Sequence, residues 1–199
     1  MSSTAAPFGL RPIGRLDNGS LEVFRQYPIA SGYATNIAAG DIVFLDDDGT
    51  STNIEKQAGT GGTDADIEML GVFVGCSYTD PNTKQLTFST LWPASTVASD
   101  AMAFVVDDPQ ALYAIQADEA FTNVGDAFGK NAALVQTAPS TDFRISRVAL
   151  DASTVGTDAN LPIRIIDYLG GRQGDEYGST YPIMVVKLNY TQFTALTGT

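Results

Sequence analysis

The 199-residue chain is 44% apolar and 17% charged, and its 23 acids outweigh 11 bases for a net charge of −12. That length and apolar content are enough for a packed core in one domain or two small ones, and they exclude a disordered chain. The acidic balance excludes binding to a phosphate backbone or an anionic membrane face, both of which need clustered Lys and Arg.

Histidine is absent. This removes the commonest base near neutral pH, the commonest metal ligand and every His-containing triad. The single cysteine, Cys76, rules out an internal disulfide and, between Gly75 and Ser77 in an apolar stretch, reads as a small buried hydrophobe. No apolar run is long enough for a membrane-spanning helix, and no basic stretch followed by an apolar run marks a secretory signal.

Residues 1–19 read as an extended N-terminal arm. Pro7 and Pro12 fix φ, remove two backbone donors and push Ala6 and Arg11 towards extended conformations. Phe8 and Leu10 lie two apart and face one side of an extended chain. Such a segment is a poor helix and cannot pair as a central strand. It is expected to lie along a surface, its own or a partner's, with Pro7, Phe8, Leu10, Arg11 and Pro12 as contact residues.

Residues 20–199 read as a single all-β domain, a compact β-barrel or β-sandwich with long loops. Gly, Pro, Thr and Asp break the chain about every ten residues, with short β-branched and aromatic runs between. Strands are expected at 20–26, 42–45, 67–78, 85–90, 102–106, 111–116, 133–136, 144–150, 161–169 and 182–188. The alternation is cleanest at Leu161, Ile163 and Ile165, and ambiguous around Phe143, Ile145 and Arg147. Turns follow at Asp46-Asp47-Asp48-Gly49, at 79–83 and at Asp107-Asp108-Pro109. Residues 59–64 and 170–178 read as glycine-rich loops, the first exposed and the second a partner-contacting type. Helix is limited to short turns within 123–131, 117–121 or 95–101. Gly40-Asp41-Ile42 and Gly125-Asp126-Ala127 echo one another, as two related lobes (about 20–110 and 111–199) would, or as chance recurrence of a strand-entry pair.

Candidate chemistry is sparse. Counting an EF-hand from Asp46 places Ser51 where glycine belongs and Gln57 where glutamate belongs, so the three acids read as a solvated turn. The glycine-rich loops do not open a helix or precede Gly-Lys-Ser/Thr, so they are not phosphate cradles. Asp118–Glu119 and Asp175–Glu176 are neighbours that face opposite ways on an extended chain, which argues against a paired-carboxylate hydrolase. Trp92 with Tyr78, Phe88 and Leu91 makes an aromatic cluster suited to a core or an oligomer interface, or more sharply to a sugar-stacking platform. No catalytic residue, cofactor site or metal site is expected.

The run Ala6-Pro7-Phe8-Gly9-Leu10-Arg11-Pro12, followed by Tyr27-Pro28-Ile29-Ala30-Ser31-Gly32-Tyr33-Ala34-Thr35 and Gly40-Asp41-Ile42-Val43, resembles the start of a family of virion structural proteins from tailed bacteriophages. Residues 71–78, Leu91-Trp92-Pro93-Ala94 and Val105-Val106-Asp107-Asp108-Pro109 extend the resemblance to about Tyr190. Members of that family resemble capsid decoration, or cement, proteins. The resemblance implies a non-enzymatic protein on the outer surface of the virion capsid that braces the head against internal DNA pressure. Its implied partners are the major capsid protein and its own copies, as a dimer or trimer, with no nucleic acid and no membrane. Other virion roles (head fibre base, neck or tail protein) and a carbohydrate-binding β-sandwich module are the alternatives.

Overall fold

Turn residues and short β-branched runs do organise this chain into strands. The structure, a computed structural model, describes residues 4–20, 24–46, 52–61, 67–122 and 124–194. In chain order the strands begin with β1 (Arg11–Arg15), β2 (Arg25–Pro28), β3 (Ile37–Ala38), β4 (Ile42–Leu45) and β5 (Ile54–Lys56). They continue with β6 (Gly71–Thr79), β7 (Leu86–Ser89), β8 (Leu91–Trp92), β9 (Met102–Val106) and β10 (Ala111–Gln116). The series ends with β11 (Asn131–Val135), β12 (Ala149–Gly156), β13 (Ile163–Tyr168) and β14 (Ile183–Leu188).

One sheet, A, runs β1-β10-β14-β13-β11-β12, and a second, B, runs β2-β9-β6-β4-β5 with β7 also on β6. β3 and β8 form a two-stranded ribbon. The sheets do not close into a barrel, and the architecture is that of an all-β sandwich.

The part of sheet B formed by β4, the start of β6 and the end of β9 is buried on both faces, as its consecutive apolar residues require. Ile42 and Val72 point into a core shared with Ile115, Leu134, Ile165 and Val186 of sheet A. Their neighbours Val43 and Phe73 point the opposite way, into a second core with Ile37 and Trp92 of the ribbon. The ribbon, sheet B and sheet A thus form three layers. Each large apolar side chain buried in these cores contributes about 1.5–3 kcal/mol.

A buried polar knot ties the layers together. The Asp41 side chain is fully buried and its Oδ2 lies 2.9 Å from Lys56 Nζ on β5. The same oxygen accepts the Ala38 N–H, and Oδ1 accepts the Ser146 hydroxyl at 2.6 Å. Ser146 Oγ in turn accepts the Val148 N–H. Backbone packs closely here: a Cβ on Gly9 (φ +73°) would lie 2.5 Å from the Gly40 carbonyl oxygen and from Ser146 Cβ.

Several expected elements shift. β4, β9 and β10 match their expected ranges, and β6, β7, β13 and β14 fall within or against theirs. The expected strand 144–150 instead becomes an irregular passage, because Arg144 takes φ +55° and Ser146 turns in to Asp41, and the strand forms at Ala149–Gly156. Helix is limited, among the described residues, to a single 3₁₀ turn at Val124–Ala127; residues 117–121 and 95–101 make none. Pro12 is accommodated because β1 is an edge strand with a register shift between Pro12 and Gly14. Gly61 is buried rather than exposed, its Cβ position lying 2.4 Å from Pro162 Cδ. Strands β4 and β5 pair antiparallel as a hairpin, while residues 47–51 of its connection and 62–66 of the next loop lie outside the described residues. Expected strand residues 21–23, and residue 123 of the expected helical turn, also lie outside them.

Replacing Lys56 with Met removes the counter-ion of the fully buried Asp41 carboxyl, so urea unfolding of K56M is expected to show a loss of about 3–5 kcal/mol. Alkali is expected to destabilise the fold by a separate route. Burial pushes the Cys76 thiol from 9.0 up to about 12, and burial with hydrogen bonding to Asp107 pushes the Tyr27 phenol from 10.0 up to about 12. Both groups hold their protons in the fold at pH values where the unfolded chain releases them. Stability is therefore full below about pH 9 and falls as pH rises towards 12, which thermal melts across that range will read.

Candidate functional site

β9 carries no bulge, so Phe104 lies on the same side as Val106, which enters the core beneath sheet A. Partners of these residues follow: Gly75 pairs with Phe104, Ser77 with both Met102 and Phe88, and Thr79 with Leu86. Sheet A does not reach this end. Phe88 is 69% exposed and Leu86 62%, while Met102 and Phe104 are half-buried.

Phe104 is the central ring of the face. Phe88 stacks beside it at 6.4 Å with 8° between the planes, and the half-exposed Phe24 packs tilted against it at 5.0 Å. Gly75 opens the floor, because a Cβ there would sit 3.7 Å from the Phe104 ring and 3.1 Å from the Ser89 carbonyl oxygen. Gly75, Ser77, Leu86, Phe88, Met102 and Phe104 carry no charge, on a chain of net charge −12. Singly exposed apolar residues are ordinary on a protein surface; a contiguous aromatic group marks a contact surface.

The arm lies on its own fold. Gly9 N–H donates to the Val148 carbonyl and Leu10 N–H to the Gly40 carbonyl, and Arg11–Arg15 pairs with β10. Further out, Ala6 N–H donates to Gln116 Oε1 at 2.7 Å, and Gln116 Nε2 donates to the Thr4 carbonyl. Leu10 is fully buried among both sheets, so it is part of this subunit's core and presents nothing to a partner. Pro7, Phe8 and Pro12 are half-buried and Arg11 is exposed, its guanidinium 4.9 Å above the Phe8 ring. Phe8 sits at a recess of about 200 Å³ that Val74 and Ile145 also line.

The aromatic cluster expected around Trp92 divides by strand alternation. Trp92 and Tyr78 turn inward and meet edge-on at 5.3 Å, so Trp92 is core and offers no stacking platform. Phe88 turns outward. Leu86, Phe24 and Phe104 escaped the sequence reading, although Leu86-Thr87-Phe88 alternates in the sequence; a half-buried strand with its apolar residues outward looks the same as one with them inward.

The remaining candidates serve the fold. Asp118 Oδ1 accepts the Ala152 N–H, and Glu176 Oε2 accepts the Ile183 N–H. The 170–178 loop is held down by Tyr177 against Tyr168 and by the Arg172 guanidinium 3.9 Å above Phe128. Among the described residues no three His, Cys, Asp or Glu side chains converge on a common point, and no helix is long and apolar enough to cross a membrane.

No protein-family model, curated protein or solved structure matches this chain.

Because Leu10 fills core and Phe8 does not, Leu10→Ala is expected to cost about 2–5 kcal/mol in urea unfolding. Phe8→Ala is expected to cost clearly less in the same measurement.

Proposed function

We propose that this protein is a non-enzymatic structural component of a tailed-phage head, a decoration protein seated on the outer surface of the major capsid protein lattice. The observation that carries the reading is the uncharged aromatic face built by Phe24, Leu86, Phe88, Met102 and Phe104 at the open end of sheet B. An apolar centre free of charge is what a protein contact needs, since carboxylates there would have to be desolvated on docking. The ordered resemblance to virion structural proteins supplies the partner. Net negative charge elsewhere keeps copies soluble and apart until they meet that partner. Many modest contacts spread over one lattice together oppose outward pressure without any single tight bond.

Phe8 and Arg11 remain the arm's contribution to such a contact, as the outer residues of a segment already anchored in cis. Deleting residues 2–12 would remove Leu10 from the core, so a point variant on the aromatic face is the cleaner probe.

Purified protein added to capsids stripped of decoration is expected to co-sediment with them. Phe24→Asp is expected to weaken that binding more than about tenfold, since it places a charge in the contact centre, with little change in melting temperature. Wild-type protein that stays in the supernatant, or an F24D variant that binds as well as wild type, overturns the reading.

A further inference from the structure

The β7 strand has a second open feature, its edge. Asp80 N–H donates to the Gln85 carbonyl, which sets the parity of the β6–β7 ladder. Thr87 and Ser89 therefore turn their peptide groups towards β6, and Leu86 and Phe88 turn theirs away from it. Thr90 gives its carbonyl to the Ala39 N–H, so the open edge ends at the ribbon and spans only Leu86 to Phe88. Residues 85–91 contain no charge, proline or glycine, which are the usual devices that blunt an exposed edge.

We propose that this edge pairs with the same edge of a second copy, antiparallel, about a two-fold axis at Thr87. The register follows from the geometry. Centred on Thr87, Leu86 lies opposite Phe88 of the other copy, and each such pair exchanges both peptide hydrogen bonds. A shift of one residue either way would turn one strand's outward groups against peptide groups already committed to β6. The same register sets a Leu side chain against a Phe on the aromatic face, twice, which is a favourable cross-strand pair. Charge permits it: two chains of net charge −12 meet along a segment with no carboxylate to oppose another. An isologous contact closes on itself and yields a dimer rather than a fibre.

Pairing joins the two sheets B edge to edge and leaves both aromatic faces on one side, which doubles the uncharged surface offered to a lattice. The contact itself is well below the roughly 800 Å² per partner of a standard interface, so it is weak in dilute solution and populated when copies are crowded. It stands on the strand's own geometry, with or without a capsid beneath it.

Sedimentation of the full-length protein from micromolar to about 1 mM, without capsids, is expected to show a reversible monomer–dimer equilibrium. Thr87→Cys places the two thiols in a non-hydrogen-bonded pair within disulfide reach, whereas Gln85→Cys places them roughly 14 Å apart. With diamide as oxidant, T87C is expected to form disulfide dimers at least about tenfold faster than Q85C. Cys76 is fully buried and stays out of the reaction. Phe88→Pro removes an N–H that points away from β6, so it is expected to keep the fold, checked by a cooperative melt, and to abolish dimerisation. Equal cross-linking of T87C and Q85C, a wild type monomeric throughout, or undiminished dimerisation of a folded F88P overturns the pairing. Capsid co-sedimentation reports separately on the aromatic face, so the two readings fail independently.

Discussion

A buried carboxylate is the constraint on which the layers depend. Asp41 has no water to turn to, so Lys56, the Ala38 N–H and the Ser146 hydroxyl must all be in place for it to be there. A buried ion pair of this kind is not a large source of net stability, because desolvation offsets much of its attraction. Its effect is to penalise every arrangement in which one partner is missing. The turn before β4, the hairpin strand β5 and the passage before β12 are thereby held in one relation. The arm is threaded into the same place, with Gly9 passing so close to Gly40 and Ser146 that no side chain fits.

From that junction the outer surface follows. Sheet B is the middle layer, with sheet A over one part of one face and the ribbon over the other. Because sheet A covers Val72 and Val106 but stops short of Phe104, the face that is core at one end of sheet B is surface at the other. The uncharged aromatic group at the open end is thus an extension of the core pattern into solvent. Such a surface is stable only in moderation on a monomer, which is why it reads as a place where another protein sits. The short open edge of β7 borders the same surface, so a contact through backbone and a contact through side chains are available side by side.

Local signals were legible where a strand obeys alternation between two turns. Strands β4, β9 and β10 lie where Ile42–Leu45, Met102–Val106 and Ala111–Gln116 predict them, and the Asp80 and Asp108 turns close through side-chain bonds to backbone N–H groups. Legibility failed where a long-range contact overrode the local pattern. Residues 144–148 alternate only ambiguously, and there Ser146 is drawn to a carboxylate 105 positions away. The strand runs on instead through the polar residues Asp151-Ala152-Ser153-Thr154, beyond the expected range, as an edge strand of sheet A. The two-residue strands of the ribbon are too short for any periodicity to show.

The sequence by itself determined the all-β class, the spacing of the turns and the acidic, histidine-free chemistry, because each depends only on residue types and near neighbours. It left open whether the arm lies on this subunit or another, and which outward residues form a surface. Tertiary structure decided both. Leu10 is internal because Gly40 and Val148 offer carbonyls to the arm, and Phe24, Phe88 and Phe104 meet because β6 pairs with both β7 and β9, and β2, which follows Phe24, pairs with β9. Alternation shows that a strand has two faces; only the packing of one sheet over part of another shows which stretch of a face is left uncovered.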